Sequence, residues 1–125
     1  MDENALSHTI LGAAAEVHKE LGPGLLESVY EEALIVELFG RGIAVARQKE
    51  VPLTYKGRAL QSNLRLDLVV ENLVIVEVKA IERLTGIHEA QLLTYLRLAH
   101  KKLGLLINFN ATTLKNSIRR VVNNL

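Results

Sequence analysis

Two acidic residues and a lysine interrupt the most apolar stretches of the sequence. Glu77 and Lys79 follow the run LVIV at 73–76, and Asp67 lies within LRLDLVV at 64–70. Burying a charge costs free energy unless the charge is paired or bound to a ligand. Two adjacent carboxylates also repel each other, and a divalent cation removes that repulsion. Because the donors are oxygens, the set suits magnesium or manganese better than zinc.

These side chains together could hydrolyse a phosphodiester. A metal ion on Asp67 and Glu77, with the backbone carbonyl of Val78 as a further ligand, could bind a phosphate oxygen and lower the pKa of a water molecule. Lys79 could orient that water or stabilise the charge that develops on the phosphate. Two other interpretations remain open: an exposed strand face with a weak salt bridge, and a buried structural network of the three charged groups.

The proposed chemistry requires Asp67 and Glu77 to lie side by side. Alternate residues of a strand share a face of the sheet. A two-residue turn at Glu71 and Asn72 would pair Asp67 with Val76 and place the two acids on opposite faces. No Asn-Gly signal favours that tight turn. We therefore predict a three-residue loop or a bulge, which brings the acids together.

Apolar periodicity and turn residues predict the elements that position these groups. The order is two helices, three strands, a helix, a strand and a closing helix, over about residues 4–21, 25–39, 43–55, 60–70, 73–80, 88–104, 103–109 and 112–125. A hairpin turn at YKGR, 55–58, joins the first two strands. We predict one α/β or α+β domain over 1–125, with a mixed four-stranded sheet flanked by helices in the order ααβββαβα.

The composition narrows the class of function. The chain of 125 residues has no cysteine, which excludes disulfides, thiolate metal sites and cysteine nucleophiles. A net charge of +1 excludes a heavily basic surface but leaves room for a local basic face. No window approaches about 18 uninterrupted apolar residues, so no membrane span is expected. The acidic start predicts no secretory signal, and a cytoplasmic location is consistent with this composition.

The spacing of the charged residues resembles a known nuclease signature. Asp67 followed by Glu77-Val78-Lys79 resembles the motif of the PD-(D/E)XK nucleases, and the predicted αβββαβ core resembles the core of that superfamily. Leu66 stands where the motif has proline, a position that commonly varies.

A second segment is similar to a narrower family. LGPGLLESVYEEAL at 21–34 contains Gly24, Glu27 and Tyr30 and resembles the defining motif of the GxxExxY protein family. RLDLVVENLVIVEVKA, IHEAQLLTYLR and LGLLINF resemble the same family, so the similarity covers roughly residues 5–122.

The resemblance implies roles for individual residues. Asp67 and Glu77 would bind the metal, Lys79 would be the catalytic lysine, and Glu27 would be the acid supplied by the helix before the sheet. Gln91 and Tyr95 resemble a QxxxY element that some of these nucleases carry after the lysine strand. The catalytic candidates are Lys79, Glu77, Asp67, Gln91 and Tyr95; the metal-binding candidates are Asp67, Glu77, Val78 and Glu27; the nucleic-acid-binding candidates are Arg65, Tyr30 and His88.

Several of these candidates also fit structural roles. Tyr30 and Tyr95 would equally suit core aromatics with the hydroxyl at the edge. Glu27 would suit a first-turn acid that the helix dipole favours, and His88 a polar residue at a helix start. Arg65 shares strand parity with Asp67 and could contact a phosphate.

We therefore expect a nuclease that uses Mg²⁺ or Mn²⁺, with DNA favoured over RNA as substrate. The alternative is a non-catalytic module that binds nucleic acid or protein and retains the fold. A chain of this size surrounds little of a duplex, so a homodimer or a partner protein would enlarge the groove. Cations that could approach a phosphate backbone are Arg47, Lys49, Lys56, Arg58, Arg65, Arg83 and Arg97.

Overall fold

A computed structural model describes all 125 residues. It contains three helices and five strands: α1 (Glu3–Leu21), α2 (Glu27–Gly40), β1 (Val45–Tyr55), β2 (Arg58–Val70), β3 (Val74–Lys79), α3 (Gly86–Ala99), β4 (Leu103–Asn108) and β5 (Ile118–Val122). A short 3₁₀ helix, Leu114–Ser117, precedes β5. None of the three helices combines the length and the apolar character that a membrane crossing requires.

The five strands lie side by side in chain order. β3 and β4 are parallel, with α3 as the connection between them, and the other neighbours are antiparallel. This mixed sheet is covered on both faces. One buried cluster of 18 residues packs α1 and α2 against the sheet, and a second cluster of six packs under α3. The central strands β3 and β4 are therefore almost entirely buried, as their apolar sequences predict.

The predicted closing helix at 112–125 is wrong, and with it the four-stranded sheet and the order ααβββαβα. The segment forms the 3₁₀ turn and then β5, which pairs with β4 from Leu103↔Val122 to Ile107↔Ile118. The run IRRVV is rich in β-branched residues, which favour strands. Without β5, the backbone donors and acceptors on one side of β4 would have no partner in the sheet.

The register between β2 and β3 confirms the predicted odd-numbered loop. Val70 pairs with Val74 and Leu68 with Val76, so residues 71–73 form the loop. One step further along the same register, Asp67 faces Glu77. The other turn prediction also holds: Lys56 and Gly57 have φ of 49° and 79°, both positive, as the tight hairpin turns that match strand twist require.

Strand β2 changes its alternation at Asp67. Leu66 packs under α3, whereas Leu68, two residues later, packs under α1 and α2. In an undistorted strand these two side chains would share a face. The neighbouring strand is irregular at the same level, because Gln48 of β1 has a left-handed φ of 49°. The sheet is thus distorted where the charged residues lie.

Candidate active site

Asp67 and Glu77 are interlocked through the backbone of the two strands that carry them. The backbone pairing of β2 and β3 ends at Leu68↔Val76. Beyond it, the N–H of Asp67 donates to Oε2 of Glu77 at 2.9 Å, and the N–H of Val78 donates to Oδ2 of Asp67 at 2.9 Å. Each carboxylate therefore replaces a backbone acceptor of the opposite strand, and this exchange fixes the two acids next to each other.

Burial raises the pKa of both acids, and the charges of neighbouring acids raise it further. Desolvation and, second to it, the charge of Asp67 raise the pKa of Glu77 to about 8. Desolvation also raises the pKa of Asp67, while the hydrogen bond from Val78 opposes this increase. The fold thus holds a carboxyl pair that a bound cation would stabilise in its ionised form.

Lys79 completes the central group at the end of β3. Its positive charge lowers the pKa of both Asp67 and Glu77, so the ammonium group lies near both acids. The facing residue of β4 is the buried Asn108, whose side chain accepts from the N–H of Ile81 at 3.1 Å and donates to its carbonyl at 3.0 Å. Asn108 therefore fixes the chain immediately after Lys79.

Glu27 reaches the same edge of the sheet from α2. Its Oε2 accepts a hydrogen bond from the N–H of Ala80 at 3.1 Å, one residue after Lys79. The start of α2 is thus attached to the end of β3. Gly24, in the turn before α2, has a φ of 99°, a conformation that a side chain would strain.

Tyr30 is fully buried and is not part of the surface around the acids. Its ring stacks on Phe109 with the centroids 4.6 Å apart. Its hydroxyl donates to the carbonyl of Gly22 at 2.6 Å and accepts from the N–H of Leu25 at 3.1 Å. The structural alternative for this residue fits, and a nucleic acid cannot contact Tyr30 in this conformation.

The remaining candidates, Tyr95, Gln91 and His88, all lie on α3. Tyr95 is half-buried on α3, and its pKa is raised by burial and then by the charges of Glu77 and Asp67, so it faces them. Gln91 is exposed one turn earlier. His88 accepts at Nδ1 from the N–H of Thr85 at 2.9 Å and thereby caps α3.

Arg65 does not turn towards the acids. Its Nη2 forms a salt bridge with Oε1 of Glu50 at 3.0 Å, and both side chains are more than half exposed. The expected alternation with Asp67 fails because β2 changes its alternation between Leu66 and Leu68.

Two residues near the acids were not predicted from the sequence, Glu31 and Gln48. Glu31 is buried on α2, and its charge raises the pKa of both Asp67 and Glu77. Nε2 of Gln48 donates to Oε1 of Glu31 at 2.8 Å and lies 3.4 Å from Oδ1 of Asp67. Arg47 pairs with the same oxygen of Glu31 at 3.3 Å. The helical periodicity of the sequence could have identified Glu31, which continues the buried stripe that contains Leu34 and Leu38. No sequence feature distinguishes Gln48.

The donor set at Asp67 and Glu77 fits a hard divalent ion. Each acid uses one carboxylate oxygen to accept a backbone N–H, which leaves Oε1 of Glu77 and the weakly bonded Oδ1 of Asp67 to coordinate. No group of three or more His, Cys, Asp or Glu side chains is arranged to hold a metal ion. Mg²⁺ commonly takes one or two carboxylates and retains several waters, so two acids meet its requirements.

Comparison with known proteins identifies the family. No curated protein matches this chain. The crystal structure of SSO0001 superposes with a TM-score of 0.59 at 18% sequence identity, over 78% of this chain and 50% of the SSO0001 chain, so this chain spans about half of that protein. This similarity concerns the fold alone. The family model of the PD-(D/E)XK nuclease superfamily matches residues 4–121. The chain therefore belongs to the PD-(D/E)XK nuclease superfamily.

Proposed function

We propose that this protein is a nuclease that hydrolyses nucleic-acid phosphodiester bonds with Mg²⁺ or Mn²⁺. The observation that carries the proposal is the interlocked pair of Asp67 and Glu77, with raised pKa values, beside Lys79. A structural salt bridge would not need two adjacent buried acids whose pKa values are both raised. A bound divalent ion would stabilise the ionised forms of both acids and so offset the free-energy cost of burying them.

Each residue of the central group has a distinct proposed role. Asp67 and Glu77 would hold the ion, with the carbonyl of Val78 as a further ligand. The bound ion would supply Lewis-acid polarisation of the phosphate and a water of lowered pKa. Lys79 would orient the attacking water and stabilise the negative charge that increases on the phosphate oxygens.

Further residues would hold this group in place or contact the substrate. Glu27 would fix the backbone after Lys79 through Ala80 and would contact the ion through a water molecule. Tyr95 and Gln91 lie on the helix that packs beside the acids, where their polar groups would position the substrate phosphate. We also propose that the chain belongs to the GxxExxY family, because Gly24, Glu27 and Tyr30 each make a contact or adopt a conformation that their residue type requires.

Cleavage assays test this proposal. Purified protein with Mn²⁺ or Mg²⁺ is expected to cleave nucleic acid, and EDTA should stop the reaction. Asp67→Asn removes one ligand charge and should reduce the rate by about 100-fold or more. Lys79→Met should reduce the rate while the Kd for Mn²⁺ stays close to that of the wild type. Glu32→Gln, an exposed acid on α2, is the matched control and should be unchanged.

A non-catalytic binding module is the competing function, and the observation in its favour is that no group of three or more His, Cys, Asp or Glu side chains is arranged to hold a metal ion. If the folded protein binds DNA but cleaves no DNA or RNA with either ion, and Glu77→Gln leaves that binding unchanged, the binding module replaces the nuclease.

A further inference from the structure

The hairpin of β1 and β2 extends well beyond the rest of the sheet. β2 begins at Arg58, but its pairing with β3 covers only residues 68–70. Residues 52–63, which we call the arm, therefore have no strand partner other than each other. All of them except Leu53 are exposed. Two isolated strands are marginally stable in water, so a projecting ribbon of this length indicates a contact surface.

The arm leaves the sheet at the edge that carries the acids. β3 runs antiparallel to β2 and ends at Lys79, level with the base of the arm. Asp67 lies four residues along β2 from Asn63, the last residue of the arm. A ligand that lies against the arm would therefore also pass Asp67 and Glu77.

All charged residues of the arm are basic. Residues 51–66 contain no Asp or Glu and contain three cations, Lys56, Arg58 and Arg65. Arg65 is paired with Glu50, whereas Lys56 and Arg58 lie at the exposed tip with no salt bridge to an acid. Lys56 instead lies over the ring of Tyr55, at 5.4 Å from its centroid. The tip is thus suited to a polyanion.

We propose that the arm inserts into the major groove of double-stranded DNA while the phosphate to be cleaved lies at its base. This inference rests on the proposed nuclease function. The major groove is about 12 Å wide and admits a two-stranded ribbon. Arg58 lies nine residues from Asp67, about 30 Å along an extended strand. This distance is close to one turn of the duplex, about 34 Å.

The geometry favours DNA duplexes over the other nucleic acids. The major groove of A-form RNA is deep and narrow, so a ribbon cannot read it. Single strands are bound mainly by stacking on aromatic side chains, and the arm carries one aromatic residue, Tyr55. A duplex that reaches from the acids to the tip must be at least about one turn long, so binding should depend on duplex length.

Duplex binding by two charge-matched variants tests the arm directly. Lys56→Ala/Arg58→Ala removes the cations of the tip, and Lys101→Ala/Lys102→Ala removes two cations beside the β2–β3 loop, where Lys101 contacts Asn72. Affinity for 10, 20 and 30 base-pair DNA is measured with EDTA present, together with a 30 base-pair RNA duplex. Hydrolysis of bis(4-nitrophenyl) phosphate with Mn²⁺ reports the acids alone, because this small diester cannot reach the arm.

The tip variant should bind 30 base-pair DNA roughly tenfold more weakly and reduce the salt slope by about 2, since each lost phosphate contact removes about 1. The control variant and the hydrolysis of the small diester should be unchanged. Equal DNA affinity of the tip variant and the wild type, equal affinity for the 10 and 30 base-pair duplexes, or tighter binding of RNA would each overturn the role of the arm. If the wild type does not hydrolyse the small diester, that result would instead count against the nuclease function.

Discussion

Removal of Glu77 from water disfavours its ionised form, and a proton or a bound cation would relieve this cost. Burial and the neighbouring Asp67 raise its pKa to about 8, so near neutral pH the apo protein holds it largely protonated. A divalent ion would displace that proton, and metal binding should therefore strengthen as the pH rises.

The raised pKa of Glu77 predicts that the apo protein loses stability as the pH increases. Between the unfolded value of 4.5 and about 8, the folded state keeps a proton that the unfolded state has lost. Raising the pH therefore favours unfolding, by up to ~1.4 kcal/mol per pH unit for this group. Urea unfolding with EDTA should give a lower free energy of unfolding at pH 8.5 than at pH 5.5.

The variant Glu77→Gln removes the titrating group and is the control for this pH dependence. Its free energy of unfolding should change less between pH 5.5 and 8.5 than that of the wild type. Parallel pH profiles for the two proteins would show that Glu77 is not the buried acid described above. In the wild type, Mn²⁺ at pH 8.5 should restore stability.

Gln48 is a further residue whose role can be measured. Its φ of 49° is unfavourable for a residue with a side chain, by roughly 1–2 kcal/mol, yet its amide joins Glu31 to Asp67. Gln48→Gly suits this backbone conformation but removes the amide. We expect the Kd for Mn²⁺ to increase about 10- to 100-fold, with the melting temperature unchanged or higher, in calorimetric titrations and thermal melts. An unchanged Kd would assign Gln48 no part in positioning Asp67.

The central acids were predictable because a charge within an apolar strand is unusual, and Asp67 and Glu77 each stand in such a run. Glu31 and Gln48 were not found. Glu31 was missed although it continues the buried helix stripe of Leu34 and Leu38. Gln48 lies in an exposed polar stretch, and only the distortion of β1 directs its side chain to Asp67.

At the level of elements, the packing of α3 on β4 places Tyr95 beside the acids. A Cβ added at Gly104 would lie 2.8–2.9 Å from three side-chain carbons of Leu92, which is almost completely buried. We predict that Gly104→Ala lowers the free energy of unfolding by about 1–3 kcal/mol. Gly86→Ala in α3, where nothing lies within 4 Å, is the control and should be neutral or slightly stabilising. Equal free energies of unfolding for Gly104→Ala and the wild type in urea would show that α3 does not approach β4 this closely.

Most elements followed from local sequence, and the exception has a physical cause. Helices α1 and α2 end at or next to a glycine, and β3 and β4 are largely apolar, so α1 to β4 were predicted in their order. The final segment contains Ile118, Val121 and Val122 at spacings that fit either a helix or a strand. Its pairing with β4 decided the outcome, and such a long-range contact cannot be derived from local periodicity.

At the scale of the whole molecule, the chain separates its charges although its net charge is only +1. Glu27, Glu31, Asp67 and Glu77 gather where α2 meets the edge of the sheet, while the arm beyond that edge is basic. A metal cation would thus bind at the acidic group, and a polyanion at the adjacent basic arm. The chain that forms both surfaces matches the family model of the PD-(D/E)XK nuclease superfamily over residues 4–121.

In the proposed function Asp67 and Glu77 together hold a hard divalent ion, and anomalous diffraction from crystals soaked in Mn²⁺ at pH 8.5 would locate that ion. We expect a single strong peak within coordination distance of a carboxylate oxygen of each acid, and no such peak in crystals of Asp67→Asn. A wild-type map without density between the two acids, or with manganese only at other carboxylates, would contradict it.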